Sequence, residues 1–138
     1  MEYKKVTITI FFTLLLLVAC STKSDFDINE SGIEEIKVSL FENFGEKNED
    51  YYTSIENKED INTFIDAINK STRIEGSVDM PKGDYNLELK FNDGTEDVFH
   101  LWISEEYSTG TVMKMDDTET AYELSKKHSE QIRAILSD

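Results

Sequence analysis

Two periodicities take turns along this chain. From Ile33, the apolar Ile36, Val38 and Leu40 alternate with Glu35, Lys37 and Ser39. That is the period-two pattern of a strand with one buried face, over about residues 33–41. A polar loop at 42–50 separates it from a second short strand beginning at Tyr51. The spacing then changes to three and four: Ile61, Phe64, Ile65 and Ile68 line one face of a helix over 57–70, with Asn57 as its N-cap and Glu59 and Asp60 in its first turn. Residues 73–78 read as a bent strand with a bulge at Gly76, and a turn at 80–84 holds the chain's single proline, Pro81.

Alternation returns at Tyr85, Leu87, Leu89 and Phe91, turns through Asn92-Asp93-Gly94 and runs back from Val98 to Ile103. This is a β-hairpin, and its register decides which side chains share a face. A two-residue Asp93-Gly94 turn would set Val98, His100 and Trp102 beside Leu87 and Leu89. A three-residue Asn92-Asp93-Gly94 loop with a left-handed Gly94 sets Phe99, Leu101 and Ile103 there instead, and is preferred because it buries three apolar side chains. Asn86, Glu88, His100 and Trp102 then share the opposite, solvent-facing side. A strand at about 111–116 follows, with Met113 and Met115 expected inward, then a strand at 120–124. A helix at 126–137 closes the chain, capped by Ser125 and apolar at Ile132, Ile135 and Leu136. The expected fold is α+β: an antiparallel meander of about four strands, one or two N-terminal strands, and two helices packed on one face.

Before all of this stands an apolar run from Val6 to Ala19, preceded by Lys4 and Lys5. Its length suits a secretory signal and falls short of the roughly 20 residues that a membrane-spanning helix needs. Leu17, Val18, Ala19 and Cys20 resemble the bacterial lipoprotein signal, in which the cysteine thiol receives a diacylglycerol and cleavage follows Ala19. The resemblance implies a signal peptide at 1–19, a lipidated N-terminus with a flexible tether at 20–32, and one domain at 33–138. It also implies attachment at the extracytoplasmic face of the cell membrane, since two acyl chains make a stable anchor where one is marginal. Eleven flexible residues would span about 18 Å.

Composition narrows the function. The chain of 138 residues has one cysteine and a net charge of −15, and without the first nineteen residues the charge is −16. With no disulfide available, packing alone must hold the core. Such acidity repels phosphodiester backbones, so nucleic acid is not an expected partner, and it should hold the domain away from anionic headgroups. A monomer is expected.

Phe99-His100-Leu101-Trp102-Ile103, followed by Tyr122-Glu123-Leu124-Ser125 opening a terminal helix, resembles the YhfM-like domain of small Gram-positive cell-envelope proteins. The resemblance covers about residues 85–137, with a weaker match to the helix at 57–70. It implies the α+β fold and an envelope location, and carries no catalytic or ligand motif.

Catalytic chemistry has little to work with. The two histidines, His100 and His128, read as a polar strand residue and a surface helix residue, and no Gly-x-Ser-x-Gly elbow is present. The histidines do not stand at zinc-ligand spacing, and the acidic turns at 92–97 and 116–119 follow ordinary turn chemistry more closely than a calcium loop. No catalytic residue, metal or cofactor is assigned, apart from the covalent diacylglycerol on Cys20. The Trp102 side of the hairpin, with Asn86, Glu88 and His100, is the candidate binding face, unless another element covers it. The leading reading is a lipid-anchored, non-catalytic domain that binds an envelope protein or wall ligand. An envelope hydrolase with an unrecognised carboxylate site, and an inhibitor or immunity-type lipoprotein, are the alternatives.

Overall fold

The computed structural model describes residues 23–138. The signal motif Leu17, Val18, Ala19 and the attachment residue Cys20 lie outside them. Seven strands form one antiparallel sheet in the order β2-β1-β4-β5-β6-β7-β3. In chain order they are β1 (Ile33–Leu40), β2 (Tyr51–Ile55), β3 (Thr72–Arg73), β4 (Tyr85–Phe91), β5 (Glu96–Trp102), β6 (Thr111–Lys114) and β7 (Ala121–Glu123). The meander is β4 to β7, with β1 and β2 added on its β4 side and the two-residue β3 closing the far edge.

Helix α1 (Lys58–Asn69) begins where the Asn57 side chain accepts from the Glu59 and Asp60 amides. Helix α2 (Lys126–Ser137) begins where Ser125 accepts from the His128 amide. Ile61, Phe64, Ile65 and Ile68 of α1 and Ile132 of α2 are buried in one core with Ile36, Val38, Leu87, Leu89, Phe99, Leu101, Val112 and Tyr122 of the sheet. Both helices therefore cover the same sheet face. Ile33 joins that core through an irregularity in the β1–β4 pairing between Ile33 and Glu35, which shifts the strand's alternation by one residue.

The hairpin takes the three-residue loop. Leu87 faces Phe99 and Asn86 faces His100, while Gly94 has φ of 87°. The Phe91 amide donates to the Thr95 carbonyl and the Gly94 amide to the Phe91 carbonyl. The left-handed conformation that glycine adopts at no steric cost sets the register.

Four expectations are corrected. The bent strand shrinks to Thr72–Arg73 plus one bond from the Ile74 amide to the Ala121 carbonyl, and the chain from 75 to 84 is irregular. In β6 it is Val112 that faces the helices, whereas Met113 lies on the other face beside Trp102. Leu40 continues the apolar alternation of β1, yet it sits at the strand's end and is 54% exposed.

The fourth correction concerns the tether. Residues 23–32 are docked on the domain. The Ser24 amide donates to the Ser71 carbonyl, and the Asn69 side chain clasps the Ile28 backbone, accepting from its N–H at 2.9 Å and donating to its carbonyl at 2.8 Å. Phe26 packs its ring 5.2 Å from Phe99 and 4.6 Å from Tyr122, and the Tyr122 hydroxyl donates to Asp25. A half-buried aromatic packed on the core and a reciprocally satisfied amide are poor components for a flexible linker.

Candidate functional site

The second sheet face carries Asn86, Glu88, His100 and Trp102 together, as the register requires, but it is closed. All four side chains are buried. The chain after β1 folds back over them: Phe41 and Phe44 stack around His100 and Trp102 at ring distances of 4.9 to 6.1 Å. Ile74, Val78 and Met80 pack against Trp102 and Met113 from the other side. The Trp102 indole N–H donates to the Pro81 carbonyl at 2.9 Å. The open face expected of these residues is thus a small second core.

Polar groups in it are spent internally. The Gly45 amide donates to His100 Nε2 at 3.0 Å, so the proton sits on Nδ1 and is given to Asn86 Oδ1 at 2.7 Å. Burial pushes the imidazole below its ordinary value of 6.5. Glu88 accepts from the Tyr51 hydroxyl at 2.9 Å, with Lys47 at 3.3 Å and Lys90 at 3.4 Å. Burial opposes its ionisation, and the Tyr51 hydroxyl and Lys47 ammonium more than offset that, leaving the carboxyl below the usual range. Lys47, hydrogen-bonded to Glu96 and paired with Glu88, is held well above the usual lysine range. Only the Asn86 amide nitrogen and Glu88 Oε1 lack a hydrogen-bond partner among the described buried side chains, and the latter has the Lys90 ammonium beside it.

An open site lies at the sheet end where β1 and β5 finish and β2 and β4 begin. A cleft of about 490 Å³ runs past Leu40, Tyr85, Ile103 and Leu136, with Lys82 and Glu105 on its rim. Its walls are firm. Asp84 accepts from the Ile103 and Ser104 amides at 2.7 and 2.9 Å, and Arg133 donates to the Ile103, Ser104 and Tyr107 carbonyls. Tyr52, 60% exposed, stands 6.1 Å from the Tyr85 ring. β2 ends the strand order, so no strand among the described residues pairs with its outer side.

A third constellation escaped the sequence reading. His128, taken for a surface residue, is 9% exposed. Its Nδ1 lies 2.9 Å from Ser125 Oγ and its Nε2 lies 3.0 Å from Asp66 Oδ2, in a polar groove between α1 and α2 of about 520 Å³. Asp66 also accepts from Lys70, and that bond, with the one from His128, holds its carboxyl below the usual range. The signal in the sequence was the Ser125-x-x-His128 spacing at a helix start, but its partner Asp66 is 62 residues away. Among the described residues no group of three or more His, Cys, Asp or Glu side chains is placed to hold a metal.

A family model described as "YhfM protein" matches residues 32–138. The chain belongs to the YhfM family. The match takes in both helices, all seven strands, the closed second face and the open cleft. No curated protein is significantly similar to the chain. A solved structure described as a thioesterase-like protein from Clostridium sporogenes ATCC 15579 has the same fold, with a TM-score of 0.59, 20% sequence identity, and coverage of 76% of this YhfM chain and 94% of that one. At that identity the likeness concerns the fold alone. A fold likeness carries no site with it, so a role for this chain has to be sought in its own exposed residues, such as Leu40 and Tyr52.

Proposed function

We propose that this protein is a non-catalytic binding domain, lipid-anchored through Cys20 at the extracytoplasmic face of the cell membrane, whose partner is an extended segment of an envelope protein. The observation that carries this is the cleft: exposed Leu40 and half-buried Tyr85 line it, and exposed Tyr52 of the edge strand β2 packs against Tyr85. Clustered exposed apolar side chains signal an interaction surface. An open sheet edge beside pockets for alternate side chains is the arrangement that takes up an added strand. The Trp102 face, first chosen for this role, is replaced by the cleft because its four side chains are buried beneath the loops that cover them. Crosslinking of the full chain on intact cells tests the reading. Leu40→Asp with Tyr52→Ala is expected to abolish capture of the species that the wild type captures; unchanged capture would refute the cleft as the binding surface.

A second reading, a hydrolase of acyl esters or thioesters, is favoured by one observation: Ser125, His128 and Asp66 have the connectivity of nucleophile, base and orienting carboxylate. The thioesterase-like title belongs to the structural neighbour, and lends this reading the same direction without a residue to support it. The Ser125 hydroxyl also accepts from the His128 amide at 3.1 Å as a helix cap, which explains the contact without catalysis. The two are separable, since Ser125→Asp keeps a capping oxygen and removes the nucleophile. Hydrolysis of a short-chain acyl thioester by the wild type and its loss in Ser125→Asp would establish the second reading; no turnover by the wild type would dismiss it.

A further inference from the structure

The docked N-terminus leaves almost no slack between the proposed lipid and the domain. Lys23 is already bridged to Thr72 on the outer side of β3. Two residues, Ser21 and Thr22, separate it from Cys20, and the three Cα-to-Cα steps reach about 10 Å at full extension. The acyl chains must enter the bilayer, so the β3 edge is held within that distance of the headgroups. The far edge of the sheet, β2, lies six strand spacings away, about 29 Å.

Charge is distributed along the same axis. Lys23 and Arg73 stand on the β3 edge, and Lys126 and Lys127 open α2 directly after β7, with no acidic residue in that first turn. Two lysines there oppose the helix dipole, an arrangement that lowers helix stability unless an anion lies nearby. Asp25, Asp66, Glu75 and Glu123 are engaged within the domain, and with Asp27, Asp117 and Glu119 in the adjoining segments they leave this edge acidic on balance. At the opposite edge, the loop and β2 region carries Glu42, Glu46, Glu49, Asp50 and Glu56 against Lys47. Both edges are acidic, so the short docked N-terminus, rather than charge, selects the edge that meets the membrane.

We propose that the β3/β7 edge is a lipid-facing surface: in the lipidated chain it rests against the headgroups, and the domain stands on it with the β2 edge outermost. This rests on lipidation at Cys20, proposed above. It reverses the expectation that the acidic domain stands away from the membrane on a flexible tether.

The test uses the full lipidated chain in vesicles of phosphatidylcholine and phosphatidylglycerol that contain a headgroup nitroxide lipid. Cys20 is the sequence's single cysteine and its thiol is blocked by the lipid, so Ser77→Cys and Glu49→Cys each accept one fluorophore. The Ser77 label, just beyond β3, is expected to be quenched about threefold or more over the Glu49 label, given the separation of the edges. Insertion of a flexible Gly/Ser linker of about twelve residues before Lys23 should remove the contrast. Equal quenching without the linker, or a contrast that survives it, overturns the orientation while the anchor stands. If Cys20→Ser floats with vesicles as the wild type does, or the wild type carries no lipid by mass, the anchor fails and the orientation falls with it.

Discussion

His100 holds one proton in a place where a second cannot be accommodated. Its Nε2 receives the Gly45 N–H and its Nδ1 gives to Asn86, so protonation would set two donors against each other beneath the Phe41 and Phe44 rings. With its folded value lowered by burial, the neutral form is favoured in the fold. The stability it contributes is therefore fully present above 6.5 and declines as pH falls below that value toward the lower folded one. Thermal melts across that range should show the decline, and His100→Phe should be less stable at neutral pH by about 2 kcal/mol, for the unpartnered Gly45 and Asn86 groups, with a shallower slope. An identical slope in the variant would assign the pH effect elsewhere. The sequence made it legible that His100, Trp102, Asn86 and Glu88 share a face, because strand alternation is strict. What covers that face was not legible, since Phe41, Phe44 and Met80 come from aperiodic segments whose path depends on tertiary packing.

Elements with a cap or a turn signal were readable one by one. Asn57 and Ser125 mark their helices, and Asn92-Asp93-Gly94 marks the hairpin, because each satisfies backbone groups locally. The elements misjudged are those whose limits are set from a distance. The strand expected at 73–78 ends after Arg73, because Ile74 makes the last bond available, to Ala121 at the start of β7, and β6 turns Val112 toward the helices because Val112 pairs with Leu101. The start of β6 depends on close approach: a side chain at Gly110 would place its Cβ 2.6 Å from Ile103 Cδ1 and 2.9 Å from the Trp102 carbonyl. The Gly110 amide meanwhile donates to the buried Ser129 hydroxyl of α2 at 2.8 Å. Gly110→Ala is expected to lower stability by about 2 kcal/mol in urea titration by forcing β5 and β6 apart. A loss within 0.5 kcal/mol, roughly the scatter for surface substitutions, would mean the junction yields easily.

At the scale of the whole molecule, the sheet is packed on both faces: by two helices on one, and by loops with the second core on the other. The sequence conveyed the first layer through its helical periodicity and left the second unseen. The docked residues 23–32 have a practical consequence. A recombinant fragment cut where the family match begins, at residue 32, would lack Phe26 and leave Phe99 and Tyr122 with an uncovered aromatic surface and Asn69 with no backbone to clasp. Such a fragment should melt well below one beginning at Lys23, by about 3 kcal/mol in stability for the lost ring, and should bind a hydrophobic dye. Equal melting of the two fragments would show that the segment adds nothing. The natural unit for crystallisation, screening or display therefore begins at Lys23, nine residues before the family match, because Phe26 and Ile28 cover part of its core.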